Sequence, residues 1–109
     1  MNSYRFGLKS SDLENIIEAL EQFENIGEAI IFGSRTKGNY RHGSDVDIAI
    51  KGNIDFKTVT HLSYLLNQEY LMPYKFDIVN YDRTKHYDLK EHIDRVGISI
   101  YHKDILVSA

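Results

Sequence analysis

The sequence has no cysteine and only one proline among its 109 residues. Lack of cysteine excludes disulfides and thiolate metal sites, which accords with a cytoplasmic setting. Long apolar runs are also missing. No stretch approaches the roughly 18 apolar residues of a membrane span, and the opening residues have no signal-peptide core, so neither membrane nor export is expected. The 13 basic and 16 acidic residues nearly balance, and neither sign gathers into a run. Without a polybasic tail or basic stripe, direct nucleic-acid binding is not expected. With 42% hydrophobic residues a chain of this length can bury one core, and a single domain over residues 1–109 is the expectation.

What is present is an alternation of helical and strand periods. Leu13, Ile16, Ile17, Leu20 and Phe23 follow helical spacing, with Ser11 to Glu14 as a candidate capping box. Ala29 to Phe32 is a short continuous apolar run, which predicts a buried strand ending at Gly33-Ser34. From Asp45 to Lys51 apolar and other residues alternate: Val46, Ile48 and Ile50 share one face, Asp45, Asp47 and Ala49 the other. Asp55 is a candidate N-cap for a helix whose stripe is Phe56, Val59, Leu62 and Leu66, ending before Pro73. Lys75 to Asn80 predicts a third strand, Asp88 to Val96 a short helix closed by Gly97 at its C′ position, and Ile98 to Tyr101 a last strand. The order αββαβαβ predicts an α/β fold with a mixed sheet, helices packed mainly on one face and a functional cleft at the other.

The chemistry concentrates where strands carry residues that a core would not select. Asp45 and Asp47, two apart on one strand, place both carboxylates on one face, with Cα atoms about 7 Å apart. Like charges so placed call for a cation. Asp is depleted in strands, and Asp77 in another strand adds a third. An oxygen-only set suits magnesium or manganese better than zinc, and two such ions can clamp the attacking and leaving oxygens of a phosphoryl displacement. At Gly33-Ser34 a glycine between strand and helix lets main-chain N–H groups approach phosphate, and the following helix adds its dipole. Ser34 can donate its hydroxyl, and Arg35 or Lys37 can neutralise charge. Residues 33–38 begin like a P-loop, but Asn39 and Tyr40 stand where that motif requires Lys and Ser or Thr, so that reading fails. Where they do not touch phosphate, Arg35, Lys37 and Arg41 are expected as solvated loop charges. The histidines lack zinc-ligand spacing, His86 and His92 included, and are expected at the surface. The apolar tail Ile105-Leu106-Val107 is expected to pack on a partner or to fray.

Gly33-Ser34, ten intervening residues, then Asp45-Val46-Asp47 resembles the signature of the DNA polymerase β-like nucleotidyltransferases. The flanking residues, Phe32 to Gly38 and Gly43 to Ile48, resemble its minimal branch, the short stand-alone nucleotidyltransferases. The resemblance covers roughly residues 10 to 103. It implies that Gly33 and Ser34 hold the triphosphate of ATP, that Asp45 and Asp47 bind both magnesium ions, and that Asp77 completes the metal site where an acceptor hydroxyl is activated. Thr36 departs from the alanine of the commonest family form.

The resemblance further implies a partner, a helical HEPN-domain protein, often a toxic ribonuclease. Toward that toxin such an enzyme acts as antitoxin by moving AMP from ATP to a tyrosine, within a hetero-oligomer. Two other readings stand beside it. One is the catalytic subunit of a two-component transferase acting on a small hydroxylated molecule; the other is a catalytically silent binding antitoxin.

Overall fold

A computed structural model describes residues 6–37 and 45–103, with main chain alone at Ser34 and Lys37. Arg41, the Gly43-Ser44 step and the Ile105–Val107 tail lie outside the described residues.

Helix α1 spans Ser10–Glu21 and presents Ile16, Ala19 and Leu20 to the core. The expected capping box does not form. The N-cap is Lys9, which makes no side-chain cap, and Asp12 is turned inward to accept a hydrogen bond from the Tyr74 hydroxyl at 2.8 Å. A buried acceptor needs that donor more than an exposed helix end needs a cap. Strand β1, Ile26–Phe32, runs longer than the apolar run alone indicated. It leads through Gly33 into α2, a single turn over Ser34–Lys37 that the αββαβαβ order leaves out.

Strand β2 is Val46–Gly52. Helix α3, Phe56–Tyr64, starts as expected at Asp55, whose carboxylate accepts from the Thr58 N–H at 2.8 Å. Its stripe is shifted at the start. Phe56 is 82% exposed, while Ile54, just before the cap, is buried in its place. The helix then widens into a π-turn over Leu65–Glu69. Strand β3 follows at Phe76–Asn80, a 3₁₀ turn at Tyr81–Arg83, helix α4 at Tyr87–Val96 and strand β4 at Ile98–His102.

Gly97 ends α4 as expected, yet not through a left-handed turn, since its φ is −70°. Glycine is needed there because a Cβ would run into the Ile93 carbonyl.

Among the described residues the strands form one mixed sheet in the order β3-β2-β1-β4. β1 pairs antiparallel with β2 and β4, and β2 pairs parallel with β3. Alternation along the strands divides the sheet into two faces. Ala29, Ile31, Val46, Ile48 and Ile50 join Ile16, Leu20, Leu62 and Leu66 in the main core under α1 and α3. On the other face Ile30, Phe32 and Ala49 meet Ile93, with Leu89 beside them, so α4 covers part of that side. Helices α1 and α3 on one face and α4 alone on the other bear out the expectation of helices mainly on one side. No helix of the described residues is long and apolar enough to cross a membrane.

Candidate active site

The α4 face of the sheet carries the carboxylates. Register places Phe32 opposite Asp47 on one side and Asp77 beside Asp47 on the other, on strands about 4.8 Å apart. Asp45 immediately precedes β2 and is exposed. The three aspartates singled out from the sequence therefore converge at one end of the sheet, where β1 ends and where β2 and β3 begin.

Electrostatics reports the same convergence. Burial above all, then the charges of Asp77 and Asp45, push the Asp47 carboxyl above its ordinary value of 3.8. Arg35 and His92 pull the other way without cancelling the effect. The result is an uncompensated negative field, and its donors are all oxygen. That chemistry fits a hard divalent cation. Among the described residues no three carboxylate or imidazole groups stand close enough to hold one ion as they are placed, so the fit rests on field and donor type.

Gly33 is part of this geometry. Its φ is +86°, in the region that L side chains avoid, and a Cβ built there would lie 2.6 Å from Asp47 Oδ2. Any side chain at this position would meet the carboxylate. The turn is closed from behind by Thr36, whose N–H and hydroxyl both donate to the Gly33 carbonyl, at 3.2 and 2.8 Å. The threonine that departs from the commonest family form thus braces the turn. Ser34 and Lys37 lie on α2, whose main chain follows Gly33 directly.

Arg35 is 4% exposed. Its Nη1 donates to the Phe6 carbonyl at 2.7 Å and its Nε to the Asp45 carbonyl at 3.3 Å, and its guanidinium lies 5.2 Å from the centre of the Tyr74 ring. With Tyr74 bonded in turn to Asp12, this arginine ties α2, the start of β2 and α1 together. Its contacts serve the backbone that carries Asp45, a role that no pattern along the chain announces. His92 corrects an expectation. It is partly buried, its ring set edge-on to Phe32 at 6.2 Å, and its charge acts on Asp47. The helical spacing from Leu89 through Ile93 put it one residue from the buried position, a signal that spacing between histidines could not supply. His86 is exposed, as expected.

The family profile described as "Polymerase beta, Nucleotidyltransferase" matches residues 14–106. No curated protein matches the sequence. Several solved structures resemble the fold. A toxin-antitoxin complex with AMP-PNP superposes with a TM-score of 0.71 at 20% identity, over 84% of this chain and 74% of that one. A tri-AMPylated Shewanella oneidensis HEPN toxin in complex with MNT antitoxin gives 0.65 at 18% identity, over 85% and 71%. The toxin-antitoxin MntA-HepT gives 0.67 at 17%, over 87% and 74%. At such identities the likeness is one of fold.

Proposed function

This chain belongs to the polymerase beta nucleotidyltransferase family, and from that premise we propose that it moves AMP from ATP to a hydroxyl, a tyrosine's, on a helical HEPN-type partner, acting as antitoxin in the cytoplasm. The observation that carries the reading is Asp47: a carboxyl whose pKa is raised by burial first and then by the charges of Asp77 and Asp45, with the Gly33 turn packed directly on its oxygen. A nucleotide end and a cation end meet at that one residue. Structures of similar fold hold AMP-PNP in one case and an AMPylated HEPN toxin in another, which supports the choice of donor and partner.

In this reading the main chain at Gly33 and Ser34 cradles the triphosphate, helped by the Ser34 hydroxyl and the Lys37 ammonium. Arg35 holds the Asp45 backbone. Asp45 and Asp47 would hold two magnesium ions, or manganese, with Asp77 completing the set on the acceptor side. When bound, the metal would supply the charge that polarises the α-phosphate and lowers the pKa of the acceptor hydroxyl. The acceptor oxygen bonds to the α-phosphorus while the bond to the bridging oxygen breaks; pyrophosphate leaves and the hydroxyl proton is lost to solvent. With a site on an open sheet end, the second polypeptide brings the acceptor and orients it.

Mass spectrometry of the partner, co-expressed with this protein or with its Asp77→Asn variant, tests the proposal. An AMP adduct on tyrosine, present with the wild type and lost with the variant, is the expected result. An unmodified partner alongside a nucleotidylated small hydroxyl compound would favour a two-component transferase instead. If nothing is modified although the partner is bound, the protein is a binding antitoxin.

A further inference from the structure

The strand that carries Asp77 is held along its outer edge. β3 is at the edge of the order β3-β2-β1-β4, and the Val46 N–H donates to the Lys75 carbonyl at 2.8 Å. In a parallel ladder, Lys75 and Asp77 then direct their main-chain groups toward β2, and those of Phe76 between them point outward. Asn67 meets them. Its Oδ1 accepts from the Phe76 N–H at 2.8 Å and its Nδ2 donates to the Phe76 carbonyl at 3.1 Å. A carboxamide carries the donor and acceptor of a peptide group, so this one side chain does the work of a strand partner.

The amide is itself anchored, since Nδ2 also donates to the Ser63 carbonyl at 3.0 Å and lies 3.2 Å from Ser63 Oγ. The helix is deformed here. The π-turn over Leu65–Glu69 is closed by the Tyr70 N–H on the Leu65 carbonyl at 2.9 Å. Such turns form less readily than α-helix and collect near functional sites. Here the widened turn buries both Leu65 and Leu66 and leaves Asn67 facing the strand edge.

We propose that Asn67 is a positioning residue of the site: by pairing with both main-chain groups of Phe76 it sets where the next residue, Asp77, stands against Asp47. Phe76 is 2% exposed, its side chain locked in the main core. Between that lock and the Asn67 amide the start of β3 has little freedom, and Asp77 inherits the constraint. The inference rests on the transfer reading above and names a residue that acts on it without touching nucleotide or acceptor.

Asn67→Ala removes the pairing; Asn67→Asp keeps the acceptor but sets a carboxylate against the Phe76 carbonyl, and serves if the alanine variant folds poorly. Transfer should fall by about 10–100-fold, the usual effect of losing a group that orients a ligand from behind. Affinity for magnesium-ATP should stay within about twofold, because the Gly33 turn is untouched. Transfer by Asn67→Ala is read at a temperature where the variant is fully folded by circular dichroism; transfer restored to the wild-type level there would mean that Asn67 acts through general stability and would overturn the proposal. Amide exchange needs no acceptor at all. The Phe76 amide should exchange at least about tenfold faster in Asn67→Ala, with β1 amides unchanged. An unchanged Phe76 amide overturns the inference even if transfer falls. If the wild type transfers nothing, the functional reading fails, and exchange at Phe76 decides the Asn67 pairing alone.

Discussion

On β2 the two faces of a single strand follow opposite rules. Val46, Ile48 and Ile50 are fully buried in the main core, whereas Asp47, between the first two, points into a field of its own charge. The α1 and α3 side is satisfied by apolar packing. The α4 side keeps Ile30, Phe32, Ala49 and Ile93 packed at its middle and leaves carboxylates at its end. Folding stability and chemistry are therefore separable on this strand, by alternate residues, and substitution can move one without the other.

The largest expected effect is on chemistry. Asp47→Asn should lower transfer by at least about a thousandfold, the equivalent of several kcal/mol of lost metal-borne stabilisation, while leaving the unfolding transition in place. A variant that retains transfer within tenfold would remove Asp47 from the site. Next comes the opposite face. Ile48→Ala should cost about 2–5 kcal/mol in chemical denaturation, because its side chain is enclosed and the cavity cannot collapse. Below its lowered melting point it should still bind magnesium-ATP. If nucleotide binding vanished in fully folded Ile48→Ala, the two faces would not be independent.

Gly33→Ala joins the faces and should show both effects. A left-handed backbone costs an L-residue about 1–2 kcal/mol, and the new methyl would meet Asp47 Oδ2. Loss of stability without loss of transfer would mean that the turn does not serve Asp47.

The smallest effect has a definite sign. Because the Asp47 pKa is raised in the folded state, the ionised form is disfavoured by folding. Its penalty is absent while the group is protonated in both states and appears as pH rises through the unfolded value and then the folded one. In EDTA, Asp47→Asn should thus melt slightly higher than wild type at neutral pH. The gain should shrink to nothing as pH falls below the ordinary value of 3.8. A variant less stable than wild type at neutral pH in EDTA would contradict the uncompensated field.

Much of this division was legible in the sequence. Period-2 alternation along Asp45 to Lys51 separated the faces correctly, and Asp55 announced its helix. Asp45, Asp47 and Asp77 converge because two parallel neighbours in register bring equal positions side by side. What remained hidden depends on contacts between distant residues. Asp12 looked like part of a cap until Tyr74, far along the chain, claimed it. Arg35 looked like a loop charge, and only the fold brings the Phe6 and Asp45 carbonyls to it. His92 lacks any motif, and Asn67 gains its meaning from a π-turn that no periodicity in the sequence marks. Phe56 kept helical spacing but stands at the first residue of α3, where it is exposed.

The most direct test of the division follows the phosphates themselves. ATP labelled at the α-phosphate, and separately at the γ-phosphate, is incubated with wild-type protein and the helical partner, in magnesium and then in EDTA, and Asp47→Asn is run beside them. The α-label should enter the partner in magnesium alone, the γ-label should not, and Asp47→Asn should transfer neither while unfolding no earlier than wild type in EDTA. Transfer of the γ-label, or α-label transfer that persists in EDTA or in Asp47→Asn, would contradict a metal-dependent nucleotidyl transfer centred on this face of the sheet.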